Sequence, residues 1–427
     1  MNSLTLDNGL RVVYAPSPTN TVYLGLALDA GTRDETNEES GMAHFAEHLS
    51  FKGTDRRTSR QIITYMESVG GDLNAFTGKE ETVYYCTCQK EHFHRAMDIL
   101  FDVVFHSKYP QEEMDKEVEV VIDEIESYND SPAELIYDDF EATLFQGHPL
   151  GRNILGDADS LRAYTTEHVL NYTHRLYVPS NAVLFVYGNI SEKEILRRIP
   201  DDVLSETRQC IVRGETILLP YVPQNKVIEK GTHQAHIMMG ARAYGGNASG
   251  HLALFLANNI LGGPGLSSRL NLALREKRGL VYTVESTLTT YTDTGVWAVY
   301  FGCDHHDAER CKRLVKKELQ FFLDNKVSQV KFVDRTFNCK HSHAMEIWRF
   351  LMEHDKGITN FHFEVAADLL NEEELQLISQ MRPGLIQLEI GVQSTNEQTI
   401  KEIKRTMKFS EVAKIVERIN QGGNVHQ

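Results

Sequence analysis

The stretch from Gly41 to Leu49, which reads G-M-A-H-F-A-E-H-L, determines how the rest of the sequence is interpreted. As an α-helix it turns about 100° per residue, so one apolar stripe faces a core. That stripe consists of Met42, Phe45, Ala46 and Leu49. His44, Glu47 and His48 fall on the other side, and the two histidines are one turn apart. Two imidazoles on one turn beside a carboxylate are typical of a catalytic zinc site, here in the inverted H-x-x-E-H order.

The same five letters are also compatible with a plain surface helix. In that interpretation His44 and His48 are surface histidines beside a surface glutamate, and the motif alone leaves both interpretations open. Ser40, directly before the stretch, is predicted to cap the helix N-terminus. A choice between the two interpretations needs a third ligand elsewhere in the chain.

A second helix, predicted over 112–128, carries candidates for that ligand. Its core stripe consists of Met114, Val118, Val121 and Ile125. Glu117 and Glu124 are seven residues apart and lie within roughly 20° of each other around the helix, at the margin of the apolar face. A carboxylate at this margin can turn inward to a metal ion. The alternative is that both are boundary glutamates of an acidic helix.

The order of predicted strands and helices indicates an α+β fold for the first two domains and a different arrangement after them. Long strands mix with helices in both halves up to residue 326, with a junction near 177, so they are interpreted as two related domains, 1–176 and 177–326. Each is expected to be an antiparallel sheet with packed helices. The second domain is expected to include a strand at 226–229 and a helix at 268–278. From 327 to 427 strand alternates with helix, which predicts parallel β/α units.

Composition and net charge indicate which partners and which cellular location are expected. The 427 residues are 41% hydrophobic and 24% charged, with a formal net charge of -16. This charge argues against nucleic acid or an anionic membrane as the main partner. No window reaches the roughly 18 apolar residues of a membrane span, and the N-terminus has no signal-like segment. The six cysteines are scattered without a disulfide or zinc-ribbon spacing, so a cytoplasmic location is expected.

His44-Phe45-Ala46-Glu47-His48 with a distant glutamate resembles the inverzincin metallopeptidases, the pitrilysin and insulinase group that includes mitochondrial processing peptidase. The resemblance covers about residues 1–326. Glu124 lies 76 residues after His48, the separation at which this family has its third zinc ligand. Glu117 stands one heptad earlier, where the family has a supporting glutamate. The resemblance implies that His44, His48 and Glu124 hold one Zn²⁺ per chain, with Glu47 as the base and Glu117 orienting the ligands.

Two further segments carry the same resemblance. Residues 70–77, G-G-D-L-N-A-F-T, look like the family's edge strand, which implies that Asn74 and Ala75 bind the substrate backbone. Residues 274–282, L-R-E-K-R-G-L-V-Y, look like its second-domain signature, which implies substrate-binding roles for Arg275 and Tyr282. The chain, which supplies one half of the family's enclosed chamber, is therefore expected to form a homodimer or to pair with a related subunit.

The resemblance implies a zinc endopeptidase that hydrolyses peptides or unfolded segments through a water on the ion, with Glu47 as general base. The alternative is a catalytically impaired peptide-binding or scaffold subunit of the same fold, because the second domain is cut short. Neither function involves nucleic acid or a membrane.

The last hundred residues depart from that family. Segments 330–339, 360–368 and 389–394 resemble the middle of a radical SAM barrel. That family binds its iron–sulfur cluster through a C-x-x-x-C-x-x-C triplet, and only Cys339 is present. A partial β/α barrel segment without a cluster is therefore predicted. An incomplete barrel is expected to expose apolar side chains such as Phe361, Phe363, Leu385 and Leu388.

Overall fold

The computed structural model of the chain describes residues 1–211, 218, 220–248, 251–324, 329–331, 337–353, 355, 357, 360–392, 409–422 and 425. Within these ranges the chain divides into two compact units, 1–314 and 315–427. None of the described helices is both long and apolar enough to cross a membrane.

The first unit begins with a six-stranded sheet in the order β1-β2-β6-β3-β5-β4. Its strands are β1 (Asn2–Thr5), β2 (Arg11–Pro16), β3 (Thr21–Leu28), β4 (Asp72–Thr77), β5 (Thr82–Gln89) and β6 (Ala182–Gly188). The sheet is mixed rather than antiparallel as expected, because β6 enters between β2 and β3 and runs parallel to β2. A long helical crossover precedes β6, and such a connection permits parallel pairing.

The helices of this domain follow the first strands. They are α1 (Met42–Ser50), α2 (Ser59–Glu67), α3 (Phe93–Phe105), α4 (Gln111–Asn129), α5 (Pro132–Leu144), α6 (Ala158–Ala163), α7 (Thr166–Leu176), α8 (Glu192–Leu196) and α9 (Asp201–Ser205). One core joins the sheet to α1, α3, α4 and α7. The inward positions of β5 alternate as a half-buried strand requires; they are Thr82, Tyr84, Cys86 and Cys88.

The N-terminus of α1 differs from the prediction. Gly41 rather than Ser40 is the N-cap residue, with φ of +78°. A Cβ at this position would lie 2.6 Å from the carbonyl oxygen of Leu155 and 2.8 Å from Gly156 Cα. A residue without a side chain is needed because the two backbones approach closely and φ is positive. Glu35 performs the capping instead, as its carboxylate accepts hydrogen bonds from the N–H groups of Gly41 and Ala43.

The second domain has a smaller sheet among the described residues. Strands β7 (Ala235–Tyr244), β8 (Val281–Thr290) and β9 (Thr294–Cys303) pair antiparallel in the order β7-β9-β8. Helix α10 (His251–Gly262) packs on β8, where the Asn258 amide donates to the carbonyl of Ser286. Residues 226–229, expected as a strand, are irregular, and the expected helix at 268–278 is a π-helical segment at Asn271–Glu276.

Helix α5 connects the first domain to this second sheet. Its contacts are with β7, and the guanidinium of Arg242 donates to the carbonyl of Leu144 at 2.6 and 2.9 Å. The rings of Tyr137 and Tyr300 have centroids 5.6 Å apart. A small apolar cluster, which includes Phe145 and Tyr291, lies at the same junction. The two sheets are therefore joined in one unit by a helix that belongs to the first domain.

Helix α11 (Ala308–Asp324) contains the boundary between the two units. The second unit then has strands β10 (Gln329–Lys331), β11 (Asn360–Val365) and β12 (Ile386–Ile390), all parallel, as the alternating pattern predicts. Its helices are α12 (His341–Glu353), α13 (Glu372–Ser379) and α14 (Phe409–Gly422). The sequence also predicts a helix near 397–405, which lies outside the described residues.

The expectation of exposed apolar side chains in this second unit is wrong. Phe363, Leu385 and Leu388 are almost fully buried, in one core with Trp348 and Phe337, and Phe361 is partly buried against the same core. The rings of Phe337 and Phe363 have centroids 4.3 Å apart. The three strands and their helices bury these side chains within the unit. A fragment of alternating strands and helices thus forms a local core of its own.

Candidate metal centre

The two histidines of α1 are held in a dry environment. His44 and Glu47 are each 8% exposed, which is more buried than an amphipathic surface helix predicts, because α4 and α7 pack on α1 in addition to the sheet. The imidazole rings have centroids 4.5 Å apart at an interplanar angle of 62°. Their Nε2 atoms point toward Glu124 of α4.

Glu124 completes a group of three donor atoms. Its Oε2 atom lies 4.0 Å from His44 Nε2 and 3.7 Å from His48 Nε2. All three donor atoms are within 4.8 Å of one another. The structure therefore brings together the two halves of the predicted ligand set, which come from two different helices.

These separations fit a metal ion better than direct hydrogen bonds. Hydrogen bonds between nitrogen and oxygen are about 2.7–3.2 Å long. Zinc bonds of about 2.0–2.2 Å in tetrahedral geometry place neighbouring donor atoms roughly 3.3–3.6 Å apart. The observed distances are slightly longer, so a small side-chain movement would close the group on one ion. Two imidazoles and one carboxylate are a donor set that leaves a fourth position for water.

Electrostatics keep His44 available as a ligand. Burial, with the neighbouring His48, lowers the pKa of His44 to about 3. Its imidazole is therefore neutral at physiological pH, and a neutral imidazole is the form that binds metals. The buried Nδ1 atom of His44 has no hydrogen-bond partner in the described part of the chain.

Glu117 holds the second histidine from behind. Its Oε1 atom is 3.0 Å from Nδ1 of His48, and its Oε2 atom is 2.5 Å from Nζ of Lys52. Burial acts to raise the pKa of Glu117, but the bonds to His48 and Lys52 outweigh it and lower the pKa. Burial acts to lower the pKa of His48, but the bond with Glu117 and the negative charges of Glu47, Glu117 and Glu124 together outweigh burial and leave the pKa raised. With Nδ1 of His48 in contact with Glu117, Nε2 is the ring nitrogen that faces Glu124.

Glu47 lies beside the donor group and is fixed by a strand. The hydroxyl of Thr77, at the end of β4, donates to Glu47 Oε2 at 2.7 Å. Burial raises the pKa of Glu47, although the Thr77 bond acts in the opposite direction. A carboxylate with a raised pKa is a stronger base than an exposed one.

The predicted substrate-binding residues of the first domain lie on the edge strand. β4 pairs only with β5 among the described strands, and Asn74 is exposed while Ala75 is partly buried. The N–H of Ala75 donates to the side-chain oxygen of Asn74 at 2.8 Å. This edge contacts α1, so an extended peptide added to it would pass close to the candidate metal centre.

Arg275 and Tyr282 lie in the second domain, away from this group. The Arg275 guanidinium is 5.7 Å from the centroid of the Tyr282 ring, and Tyr282 is 83% exposed. Tyr282 follows Val281 at an irregularity of β8. The contacts that the described residues make here join these two side chains to each other and Arg275 to Glu276, not to His44, His48 or Glu124.

Three residues of the site were not found by sequence reasoning. Lys52 and Thr77 contact Glu117 and Glu47, and Glu35 caps α1. A positive residue one turn after His48 was a signal for the first of these. The other two depend on a loop-to-helix contact and a strand-to-helix contact that no spacing in the sequence indicates.

Two other histidines, His236 and His306, have ordinary surroundings. Nδ1 of His236 is 3.0 Å from the hydroxyl of Tyr300. His306 stands near Asp304 and Asp307 at the surface, where exposed acidic groups commonly occur without a metal. The described residues thus contain one enclosed group with a base beside it.

Family models match most of the chain. The model described as insulinase, peptidase family M16, matches residues 11–158, and the model described as peptidase M16 inactive domain matches residues 163–334. The second match ends eight residues beyond the predicted boundary at 326. The resemblance of the tail to a radical SAM barrel finds no support in these comparisons and stays a prediction, as does the division into three domains.

Curated relatives share about a third of their residues with this chain. The Bacillus subtilis protein YmxG, named an uncharacterized zinc protease, is 34% identical over 322 residues, which are 74% of this chain and 76% of the relative. An uncharacterized zinc protease of Rickettsia felis is 35% identical over 322 residues, 74% of this chain and 77% of the relative. One of Mycobacterium leprae is 34% identical over 308 residues, with 70% and 68% covered.

Two solved structures share the fold. A peptidase M16 inactive domain from Pseudomonas fluorescens has a TM-score of 0.72 at 19% identity and covers 83% of this chain and 84% of its own. A protease from Helicobacter pylori has a TM-score of 0.69 at 20% identity, with 98% and 96% covered. At these identities the likeness concerns the fold alone.

Proposed function

The chain belongs to the insulinase family of peptidases, family M16, and we propose that it is a zinc-dependent endopeptidase acting on peptides or unfolded protein segments. The observation that carries the proposal is the enclosed group of His44, His48 and Glu124 with Glu47 beside it. Relatives in several bacteria bear the name zinc protease, which agrees with this donor set.

His44 and His48 through Nε2, and Glu124 through a carboxylate oxygen, would hold one Zn²⁺ per chain. When bound, the ion supplies Lewis-acid chemistry that activates a water and polarises the peptide carbonyl. The neutral state of His44, the exposure of Glu124 and the open fourth position all suit this role.

Glu47 is the proposed general base. It takes a proton from the attacking water and passes it to the leaving amine. The Thr77 hydroxyl holds one oxygen of Glu47, so the other oxygen is free to meet the water. The raised pKa of the buried carboxylate makes both proton transfers easier, because the protonated and ionised forms are closer in free energy near neutral pH.

The substrate is proposed to add to the edge of β4 as an extra strand. The side of Ala75 that does not pair with β5 offers backbone groups to a peptide. Recognition through the backbone favours extended chains of varied sequence, and it excludes folded proteins whose backbones are already paired. Asn74 would then exchange its bond with the Ala75 N–H for one with the substrate.

Arg275 and Tyr282 are proposed to act on substrate bound at a partner's metal centre. Their side chains contact each other and are exposed, while the donor group lies in the first domain. An exposed pair of this kind is available to a second subunit. A homodimer, or a pair with a related subunit, is therefore the proposed assembly.

A second candidate function rests on the small size of the second sheet. Three strands are described there, against six in the first sheet. If the second domain cannot complete the substrate-binding surface, the chain would bind peptides or serve as a scaffold without turnover. This candidate keeps zinc and peptide binding but loses cleavage.

Zinc content and cleavage measured together test the proposal. The purified chain is expected to hold about one zinc ion and to cleave an unfolded peptide in a reaction that a chelator stops and added zinc restores. Glu124→Gln should weaken zinc retention, because a neutral amide is a poor zinc ligand. Zinc binding without cleavage would favour the scaffold function, and no zinc binding would refute both candidates.

A further inference from the structure

Lys52 lies just beyond the C-terminal end of α1 and faces the carboxylate behind the metal centre. Its Nζ atom is 2.5 Å from Oε2 of Glu117. The other oxygen, Oε1, is 3.0 Å from Nδ1 of His48. The three side chains thus form a row that ends at the candidate ligand atom, Nε2 of His48.

The surroundings make this row more than a surface ion pair. The Glu117 side chain is 8% exposed and that of Lys52 is 26% exposed, so water competes weakly for either partner. A carboxylate with one bonded oxygen can still rotate about its side-chain torsions. With a separate partner on each oxygen, Glu117 has one orientation that satisfies both, and that orientation presents Oε1 to His48.

We propose that Lys52 is a positioning residue for the zinc site. It holds Oε2 of Glu117, so that Oε1 accepts the Nδ1–H of His48 and the Nε2 lone pair points at the ion. The inference rests on the proposed zinc-dependent function. Partners behind a ligating histidine fix its tautomer and ring orientation, and their loss typically weakens metal binding about 10–100-fold.

Two other roles for Lys52 predict different results. A cation near a helix C-terminus stabilises the helix, and in that role Lys52 would affect folding but not the zinc affinity of the folded chain. An ammonium near a metal site also repels the ion. If repulsion prevailed, loss of Lys52 would tighten zinc binding. Weaker zinc binding without Lys52 therefore indicates positioning, unchanged binding indicates helix stabilisation, and tighter binding indicates repulsion.

The experiment measures Zn²⁺ affinity of the full chain by competition with a chromophoric chelator. Lys52→Met should weaken binding about tenfold, and Lys52→Arg should stay within about threefold because a guanidinium can bond the same carboxylate. Lys116→Met is the matched control. Lys116 is the sequence neighbour of Glu117, but it is exposed and pairs with Glu113 at 2.6 Å, so its loss should leave zinc affinity unchanged.

A second background tests whether Lys52 acts through Glu117. In a Glu117→Gln chain, adding Lys52→Met should cause no further loss of zinc affinity, because the residue it positions has already been changed. Should Lys52→Met not fold, Lys52→Gln carries the same comparison. Unchanged or tighter binding in the single variant, or an equal further loss in the Glu117→Gln background, would overturn the proposal. A wild-type chain that binds no zinc would instead remove the proposed function and this inference with it.

Discussion

Replacing Glu47 by glutamine separates the base from the metal ligands. The amide has the shape of the carboxylate, so the Thr77 hydroxyl can still donate to its oxygen across the 2.7 Å contact. His44, His48 and Glu124 are untouched. The change therefore removes the ability to accept a proton and little else.

The expected loss follows from general-base catalysis, which typically contributes 10²–10⁴-fold to rate. Each factor of ten corresponds to about 1.4 kcal/mol of barrier, so the substitution should raise the barrier by about 3–5 kcal/mol. Because the donor group is intact, the loss should fall on kcat with zinc content unchanged. Folding should not suffer, since the variant removes a buried charge whose protonation burial already favours.

The assay is cleavage of an unfolded fluorogenic peptide, with zinc content and melting temperature recorded on the same samples. Thr77→Val is a useful companion, because it keeps the carboxylate but removes its fixed partner, and a smaller loss of kcat is expected. Glu47→Gln that cleaves at the wild-type rate with full zinc content would refute Glu47 as the base. A fall in activity that parallels zinc loss would show that the residue acts on metal binding instead.

Four further predictions follow from other contacts. Gly41→Ala should destabilise the fold by about 2 kcal/mol, measured by denaturant unfolding, because φ of +78° strains any side chain. Burial raises the pKa of Glu35 to about 8, so the folded chain binds the Glu35 proton more tightly than the unfolded chain does. The free energy of unfolding should therefore fall as pH rises from about 4.3 to 8. Glu35→Gln should flatten this pH dependence in melting curves. Mixing Glu47→Gln with Tyr282→Phe chains should restore activity if the second domain acts on a partner's site, and heterodimers without recovery would contradict this. Anaerobic reconstitution with iron and sulfide should give no cluster absorbance, and a stoichiometric cluster would contradict the prediction for residues 327–427.

Much of the first domain follows from periodicity. The 3.6-residue repeat places His44 and His48 on one turn. Glu124 required the spacing of a known family, since an acidic helix offers many glutamates. Local pattern therefore identified two of the three proposed ligands, and resemblance supplied the third.

The residues that sequence reasoning missed depend on tertiary contacts. The hydroxyl of Thr77 reaches Glu47 across 30 positions, and Lys52 reaches Glu117 across a helix–helix contact. Ser40 has good capping chemistry, but the close approach of two backbones requires glycine at the next position. Capping propensity alone therefore predicts the wrong N-cap residue for α1, because the close approach of two backbones determines which residue occupies that position.

In residues 327–427, comparison with a whole barrel predicts the wrong side-chain exposure. Three parallel strands predict open edges and exposed apolar residues when compared with a whole barrel. The structure instead buries Phe363 and Leu388 with Trp348 in one cluster. Burial depends on which side chains the helices of the same unit can cover. A comparison with the strand number of a whole barrel does not determine this.

The exposure of the two α4 glutamates indicates where water enters the centre. They are two turns apart on one helix, yet the side chain of Glu117 is 8% exposed and that of Glu124 is 44% exposed. The donor group therefore lies at the boundary between the dry interior and the solvent. Burial lowers the pKa of His44 and raises that of Glu47, and we expect the exposed side to admit substrate and water. A hydrolytic site of the proposed kind needs a dry side and an open side within one group of ligands, and the two glutamates mark these sides seven residues apart on one helix.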